Sequence, residues 1–303
     1  IYTLSLHDAL PIFGAAHPDR VSILDRCIAA GVATRRLTWH FRSQVESLIA
    51  FSNARYYDGA LLSFPSPLIM GAQGDDGLSG HGISLRRVKG TYYSERSASK
   101  GRRVKPNTNP HEAYQIVEEV VRRFEASPHK TPSLGVITFN KNQRDLIENR
   151  LREKGSQRII TSLEERDGLM VRNLDNVQGQ ERDTILLSTT VSANERGDIP
   201  LNFGSLSHAG GERRLNVAIT RARRQIIVFS SFDPEDLHVD RTTHQGLKDL
   251  RDYLMVARDG SAPRALSVSR GVVDRHRNEI AESLRDAGLQ APKIGRASCR
   301  ERV

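Results

Sequence analysis

Residues Gly210–Arg224 read GGERRLNVAITRARR and carry five arginines, Arg213, Arg214, Arg221, Arg223 and Arg224, around the apolar set Leu215, Val217, Ala218 and Ile219. Steps of three and four residues put Leu215, Ala218, Ile219 and Ala222 on one face of a helix, with Arg214 and Arg221 on or near its rim. Gly210 and Gly211 suit a tight turn before that helix, and Glu212 suits its first turn. Gln225–Phe229, QIIVF, is rich in β-branched residues and predicts a buried strand directly after it. An arginine fixed at a helix rim is the group phosphoryl-transfer chemistry uses to neutralise a transferring phosphate. The same residues also suit a solvated basic face.

Working upstream, the same alternation of strand and helix recurs. Leu169–Leu174 predicts a short strand leading into Asp175–Val191, DNVQGQERDTILLSTTV, a loop followed by an apolar strand. Gly179 permits an unusual backbone there, and Gln178 and Glu181 bring hydrogen-bonding groups to the strand entry. Leu134–Phe139, LGVITF, predicts another strand and Lys141–Lys154 an amphipathic helix, with Thr138, Asn140 and Gln143 at the strand end. Asn109 followed by Pro110 is a helix-start signal, and Ile116, Val117, Val120, Val121 and Phe124 form the inward stripe of a helix over Asn109–Ala126. In Leu37–Tyr57, LTWHFRSQVESLIAFSNARYY, the residues Leu37, Trp39 and Phe41 alternate as in a strand. Ser43–Asn53 then forms a helix with Val45, Leu48, Ile49 and Phe51 inward. Arg42 sits at the turn between them, placed either to reach a ligand at a sheet edge or to tie down the turn. Further upstream, Ile23, Leu24, Cys27 and Ile28 make a helical face closed by Gly31. Downstream, Gln245–Ala257 predicts a helix with Leu247, Leu250, Tyr253 and Leu254 on one face. Strands alternating with helices predict an α/β fold, a mostly parallel sheet covered by helices on both faces.

Composition bounds the reading. The chain has 303 residues, 38% hydrophobic and 27% charged, with a formal charge of +9. Those values suit a globular protein with an anionic partner such as nucleic acid. No apolar run approaches the roughly 18 residues that span a bilayer, so no membrane association is expected. Residues 1–12 and 294–303 resemble translated sequencing adapter, so neither end is expected to be the gene's own. The basic character survives their removal, and Cys27 is then the one natural cysteine. That predicts no disulfide, no zinc site and a cytoplasmic setting. Leu62–Val104, rich in Gly, Ser and Pro with a basic tail, predicts an irregular surface insertion, its cations solvated or touching nucleic-acid phosphates. Residues 259–271 predict a linker and Val272–Leu289 one more amphipathic helix.

The segments RRLNVAITRAR, QGQERDTILLSTT and LTWHFRSQVESLIAFSNARYY resemble motifs VI, V and IV of superfamily 1 helicases, in the order that family uses. The similarity covers most of the chain and is strongest to the Upf-like and Dna-two-like branch, especially bacterial multidomain helicases. It implies that residues 13–258 form the second RecA-like domain, a P-loop NTPase fold. Arg221 and Arg42 then fall on arginine fingers that approach the γ-phosphate of ATP. Glu181, Gly179, Gln178 and Arg214 fall near the nucleotide, while Thr138, Asn140, Gln143 and Asp175 lie toward single-stranded nucleic acid, DNA favoured. No GxxxxGK[ST] loop or acidic magnesium strand occurs in the sequence. The resemblance therefore implies that the phosphate loop and the Mg2+ ligands sit on a preceding RecA-like domain, and that this portion by itself hydrolyses no ATP. Residues 272–293 resemble the opening of a Vsr-like nuclease domain. A non-catalytic nucleic-acid-binding module and the motor portion of a helicase-nuclease stay open as alternatives.

Overall fold

The computed structural model describes residues 23–34, 37–63, 80–94, 105–193 and 198–259. The chain divides into two units, Ile1–Trp39 and His40–Val303. In the first, helix α1 (Ile23–Ala29) forms as predicted, but its apolar face is uncovered: Ile23, Leu24 and Ile28 are 39%, 58% and 51% exposed.

The second unit is built on five strands: β1 (Gly82–Arg87), β2 (Leu134–Thr138), β3 (Met170–Asn173), β4 (Arg182–Ser188) and β5 (Ala222–Ser230). They lie in the order β1-β5-β4-β2-β3, and every neighbouring pair is parallel. A parallel sheet must bury both faces, because its crossovers lay helices on each side. The sequence shows the consequence directly. All five residues of β2, LGVIT, are buried.

Alternate strand residues feed two cores. Ile137, Ile185, Ile226 and Val228 point to one side, where Leu48 and Phe51 of α2 (Ser47–Tyr56) pack with them. Leu215 and Ala218 of α6 (Gly211–Ile219) and Leu250 and Tyr253 of α7 (Gln245–Asp259) complete that side. Val136, Leu186, Ile227 and Phe229 point to the other side, toward Ile116 and Val120 of α3 (Pro110–Glu125), Ile147 of α4 (Lys141–Lys154) and Ile159 of α5 (Gln157–Glu164). The result is three layers, helix–sheet–helix, a RecA-like architecture of the P-loop NTPase class. The helix start signalled by Asn109 forms, and Asn140, read from sequence as a strand-end residue, caps a helix as well. Asn109 accepts a hydrogen bond from the Glu112 N–H at 3.1 Å and Asn140 from the Gln143 N–H at 2.9 Å. Caps of this type are worth about 1 kcal/mol each.

Four expectations need correction. Gly82–Arg87, inside the supposed irregular insertion, is the edge strand β1, paired along its length with β5. Its residues from Ile83 to Arg86 are all half-covered and include Ser84 and Arg86, so no continuous apolar run marks it. Helix α5 had no predicted counterpart. The helix carrying Leu215 stops at Ile219, and Ala222 opens β5 instead of extending the helical face. Thr220 turns its hydroxyl back onto the Asn216 carbonyl at 2.9 Å, and such local bonding competes with helix continuation. Finally, only Trp39–His40 is extended in the Leu37–Phe41 segment, and Leu37 and Phe41 are 85% and 71% exposed, so no core strand forms there. The predicted linker and the helix over 272–289 lie outside the described residues.

Candidate functional site

Because all five strands run the same way, the turns that precede them open on one edge of the sheet, its amino edge. Arg182 of β4 is in register with Ala222 of β5, and the Arg182 N–H donates to the Arg221 carbonyl at 3.1 Å. Glu181 and Arg221, each one residue before its strand, are therefore neighbours despite forty residues of separation. The segment before α2 joins them. Its Gln44 N–H donates to the Arg223 carbonyl at 2.7 Å, and the Arg42 guanidinium donates to Thr220 O at 3.2 Å and Glu181 Oε2 at 2.7 Å. Arg42, Glu181 and Arg221 thus converge from three separate stretches of sequence.

Glu181 is shared. Its second oxygen accepts from Arg223 at 3.0 Å, and Arg223 also approaches Asp183 at 3.6 Å. The hydrogen bond from Arg42, with the charges of Arg223 and Arg42, holds the Glu181 carboxyl below its usual range. Arg221 is different. Its Nε donates to the Val217 carbonyl at 2.7 Å, Nη1 to the Gln180 carbonyl at 3.5 Å and Nη2 to Thr220 Oγ1 at 3.3 Å. All three acceptors are neutral, and among the described residues Arg221 makes no ion pair. Burial, reinforced by the charge of Arg42, pulls its pKa down to about 10. The cluster sets three guanidiniums, Arg42, Arg221 and Arg223, against two carboxylates, Glu181 and Asp183, and the unmatched charge rests on Arg221.

His40 sits beside this group. Its Nε2 accepts the Ser43 N–H at 3.1 Å and lies 2.9 Å from Ser43 Oγ. Burial first, then the charges of Arg42 and Arg221, lower its pKa. The arrangement can receive an anion. Half-buried donors with an excess positive charge gain more from an incoming phosphate than solvated ones do, because water screens them less.

The other predicted site residues divide. Gln178 and Gly179 are exposed on the turn that leads to Glu181. Gly179 has φ +81° with nothing near its missing Cβ, so its role there is conformational. Arg214 and Asp175, assigned to different ligands from sequence, face each other at 3.2 Å on the surface. Thr138 and Gln143 lie away from this cluster. Both are fully buried at the opposite, carboxyl edge of the sheet. The Thr138 hydroxyl donates to the Asn140 carbonyl at 2.7 Å, and Gln143 exchanges hydrogen bonds with the Asn109 backbone at 2.8 and 3.1 Å. Asn140 is spent as a helix cap. Arg221 belongs to the turn between α6 and β5, just past the end of the helix.

Sequence reasoning missed Arg223, His40 and Glu112. Arg223 was legible, since a two-residue step from Arg221 at the start of a strand puts both on one side. Glu112 carried the signature of a capping-box glutamate, three residues after the Asn109 cap. Its carboxylate instead accepts from Ser188 Oγ at 2.5 Å, the Thr190 N–H at 2.8 Å and Ser231 Oγ at 3.2 Å.

A parallel sheet between two helical layers, with guanidiniums gathered at the amino ends of its central strands, is a RecA-like domain of the P-loop NTPase class. The chain belongs to the AAA domain family, which matches residues 20–233. It is similar to the uncharacterized ATP-dependent helicase MG140 of Mycoplasma genitalium, 34% identical over 226 residues, covering 72% of this chain and 18% of that protein. It is also similar to the Regulator of nonsense transcripts 1 homolog of Drosophila melanogaster, 28% identical over 230 residues, covering 69% of this chain and 16% of that one. The chain spans less than a fifth of the length of these curated relatives. Among solved structures, the C-terminal domain of a possible DNA helicase from Lactobacillus plantarum aligns with a TM-score of 0.34 and 13% identity, over 75% of this chain and 96% of that one. The relatives support the superfamily 1, Upf-like helicase resemblance carried by the three motifs.

Proposed function

We propose that this domain is the C-terminal RecA-like half of an ATP-dependent superfamily 1 helicase or translocase and supplies arginine fingers to ATP held by a preceding RecA-like domain. The observation that carries this reading is Arg221: a half-buried guanidinium beside a second arginine, hydrogen-bonded only to neutral groups. ATP supplies a phosphoanhydride whose cleavage develops charge on the terminal phosphate. Arg221 is free to meet that charge without first breaking an ion pair, and Arg42 lies next to it, aimed by Glu181. Gln178 and Gly179 on the turn before Glu181, and Arg214 on α6, would be nucleotide-facing groups in this reading. The Mg2+ ligands belong, in this reading, to the preceding domain. Nucleic acid would be single-stranded, DNA favoured, and held chiefly through its phosphates, so binding would be sequence-tolerant and salt-sensitive.

The test is steady-state ATP hydrolysis and single-strand affinity of the full-length enzyme carrying Arg221→Ala. An arginine finger is worth about 10³–10⁵ in turnover, so hydrolysis should fall by at least about a thousandfold while affinity stays within about twofold. Turnover near that of the unmodified enzyme would overturn the finger assignment and leave a non-catalytic binding module. Arg221-dependent hydrolysis by the 303-residue chain alone would overturn the two-domain arrangement.

A further inference from the structure

At the carboxyl edge, β1 ends at Arg87 and continues through Val88 to Lys89. With His111, Tyr114 and Gln115 on the first turns of α3, these residues line an open pocket of about 280 Å³. Its chemistry favours anions. Lys89 is exposed and, among the described residues, has no ion-pair partner. Arg87 contacts Asp233 at 3.0 Å, but both side chains are largely solvated at 42% and 54% exposure, and such a pair exchanges readily for a better anion. The amino end of the sixteen-residue helix α3 adds the positive pole of its dipole to the same place.

The pocket also has an aromatic wall. Tyr114 is 42% exposed, unusual for its size, and the Lys154 ammonium lies 4.5 Å from its ring centroid while pairing with Glu118 at 3.0 Å. A ring among cations serves two parts of one ligand: a base can stack on it while the flanking phosphates meet the positive charges. An acidic peptide would use the cations and leave the ring idle. A free inorganic anion would leave it idle too.

We propose that this pocket is an accessory subsite for single-stranded nucleic acid, in which one base stacks on Tyr114 and the adjoining phosphates meet Lys89 and Arg87. It rests on the nucleic-acid reading above and extends it to an edge strand that lies outside the three helicase motifs. The subsite is also on the opposite edge of the sheet from Arg221, so a strand held there leaves the phosphate-facing arginines clear.

The experiment is anisotropy titration of a labelled oligothymidylate of about 15 nucleotides with the 303-residue chain over a series of salt concentrations. Tyr114→Ala should weaken binding about tenfold with the salt slope unchanged, and Tyr114→Phe should restore it. Lys89→Ala should reduce the salt slope by about 0.7, the value of one phosphate contact on a single strand. Tyr114→Trp in a Trp39→Phe background should lose indole fluorescence as the oligonucleotide binds. If the unmodified chain binds but Tyr114→Ala and Lys89→Ala match it in affinity and slope, the subsite is overturned while the helicase reading stands. If polyglutamate binds with the same dependence on Tyr114, the surface serves an acidic protein and the proposal falls. Failure of the unmodified chain to bind the oligonucleotide overturns it as well, whereas Arg221-dependent hydrolysis in the full-length enzyme would independently preserve the motor assignment.

Discussion

The two edges of the central sheet hold the same kinds of residues and use them in opposite ways. At the amino edge, Arg42, Glu181 and Arg221 stand partly exposed, and among the described residues no carboxylate pairs with Arg221. At the carboxyl edge, Asn109, Glu112, Thr138, Gln143 and Ser188 are fully buried. Their hydrogen bonds close on one another. Glu112 alone gathers two hydroxyls and the N–H of Thr190, whose φ of +68° is itself held in place by that bond. A polar side chain at a strand end therefore marks a ligand site only when its bonding capacity is left open. Where the capacity is used internally, the same residue is part of the scaffold.

The largest expected effect would break the comparison outright: loss of about three orders of magnitude in hydrolysis on Arg221→Ala in the full-length enzyme, with its melting temperature little changed. The mirror experiment is Glu112→Ala. It leaves buried donors from Ser188, Thr190 and Ser231 without an acceptor and should cost about 3 kcal/mol, read by denaturant unfolding. If Glu112→Ala were neutral, the carboxyl edge would not be a scaffold.

The same carboxyl sharpens the contrast through pH. Burial raises the Glu112 pKa from 4.5 to about 7, against the opposing hydrogen bonds from Ser188, Thr190 and Ser231. With the folded value above the unfolded one, its contribution is fully present below pH 4.5 and is lost as pH rises to about 7. Melting temperature should accordingly decline between about pH 5 and 7 in the unmodified chain relative to Glu112→Gln. A constant difference between the two across that range would count against the buried-acid account.

A smaller effect is expected at Gly211, which opens α6 behind Arg221. A Cβ there would collide with the Leu206 carbonyl oxygen, so Gly211→Ala must shift backbone and should cost about 1–3 kcal/mol in thermal unfolding. The smallest belongs to Arg214 and Asp175, a pair 43% and 47% exposed. Arg214→Ala should change stability by less than about 1 kcal/mol, and any larger loss of hydrolysis in the full-length enzyme would then reflect ligand contact rather than folding.

Much of the layered architecture was legible in the sequence because parallel strands buried on both faces read as near-continuous apolar runs, as Leu134–Ile137 and Ile185–Leu187 do. The cap at Asn109 and the inward stripes of α3 and α7 followed from spacing alone, whereas the cap at Asn140 was not read from it. Edge strand β1 was hidden, since a strand covered on one side carries serine and arginine as readily as leucine. In the site, the motifs named Arg42, Glu181 and Arg221 without the geometry that joins them.

Sequence by itself determined residue chemistry, periodicity and order: which segments could be buried, which could cap, and which arginines were available. Tertiary structure decided which polar groups met. The parallel register of β4 on β5 brings the turns before Arg182 and Ala222 together, and among the described residues it leaves Arg221 without a carboxylate while Glu181 is taken by Arg42 and Arg223. That outcome depends on distances across the sheet between residues far apart in the chain, and local spacing holds no record of them.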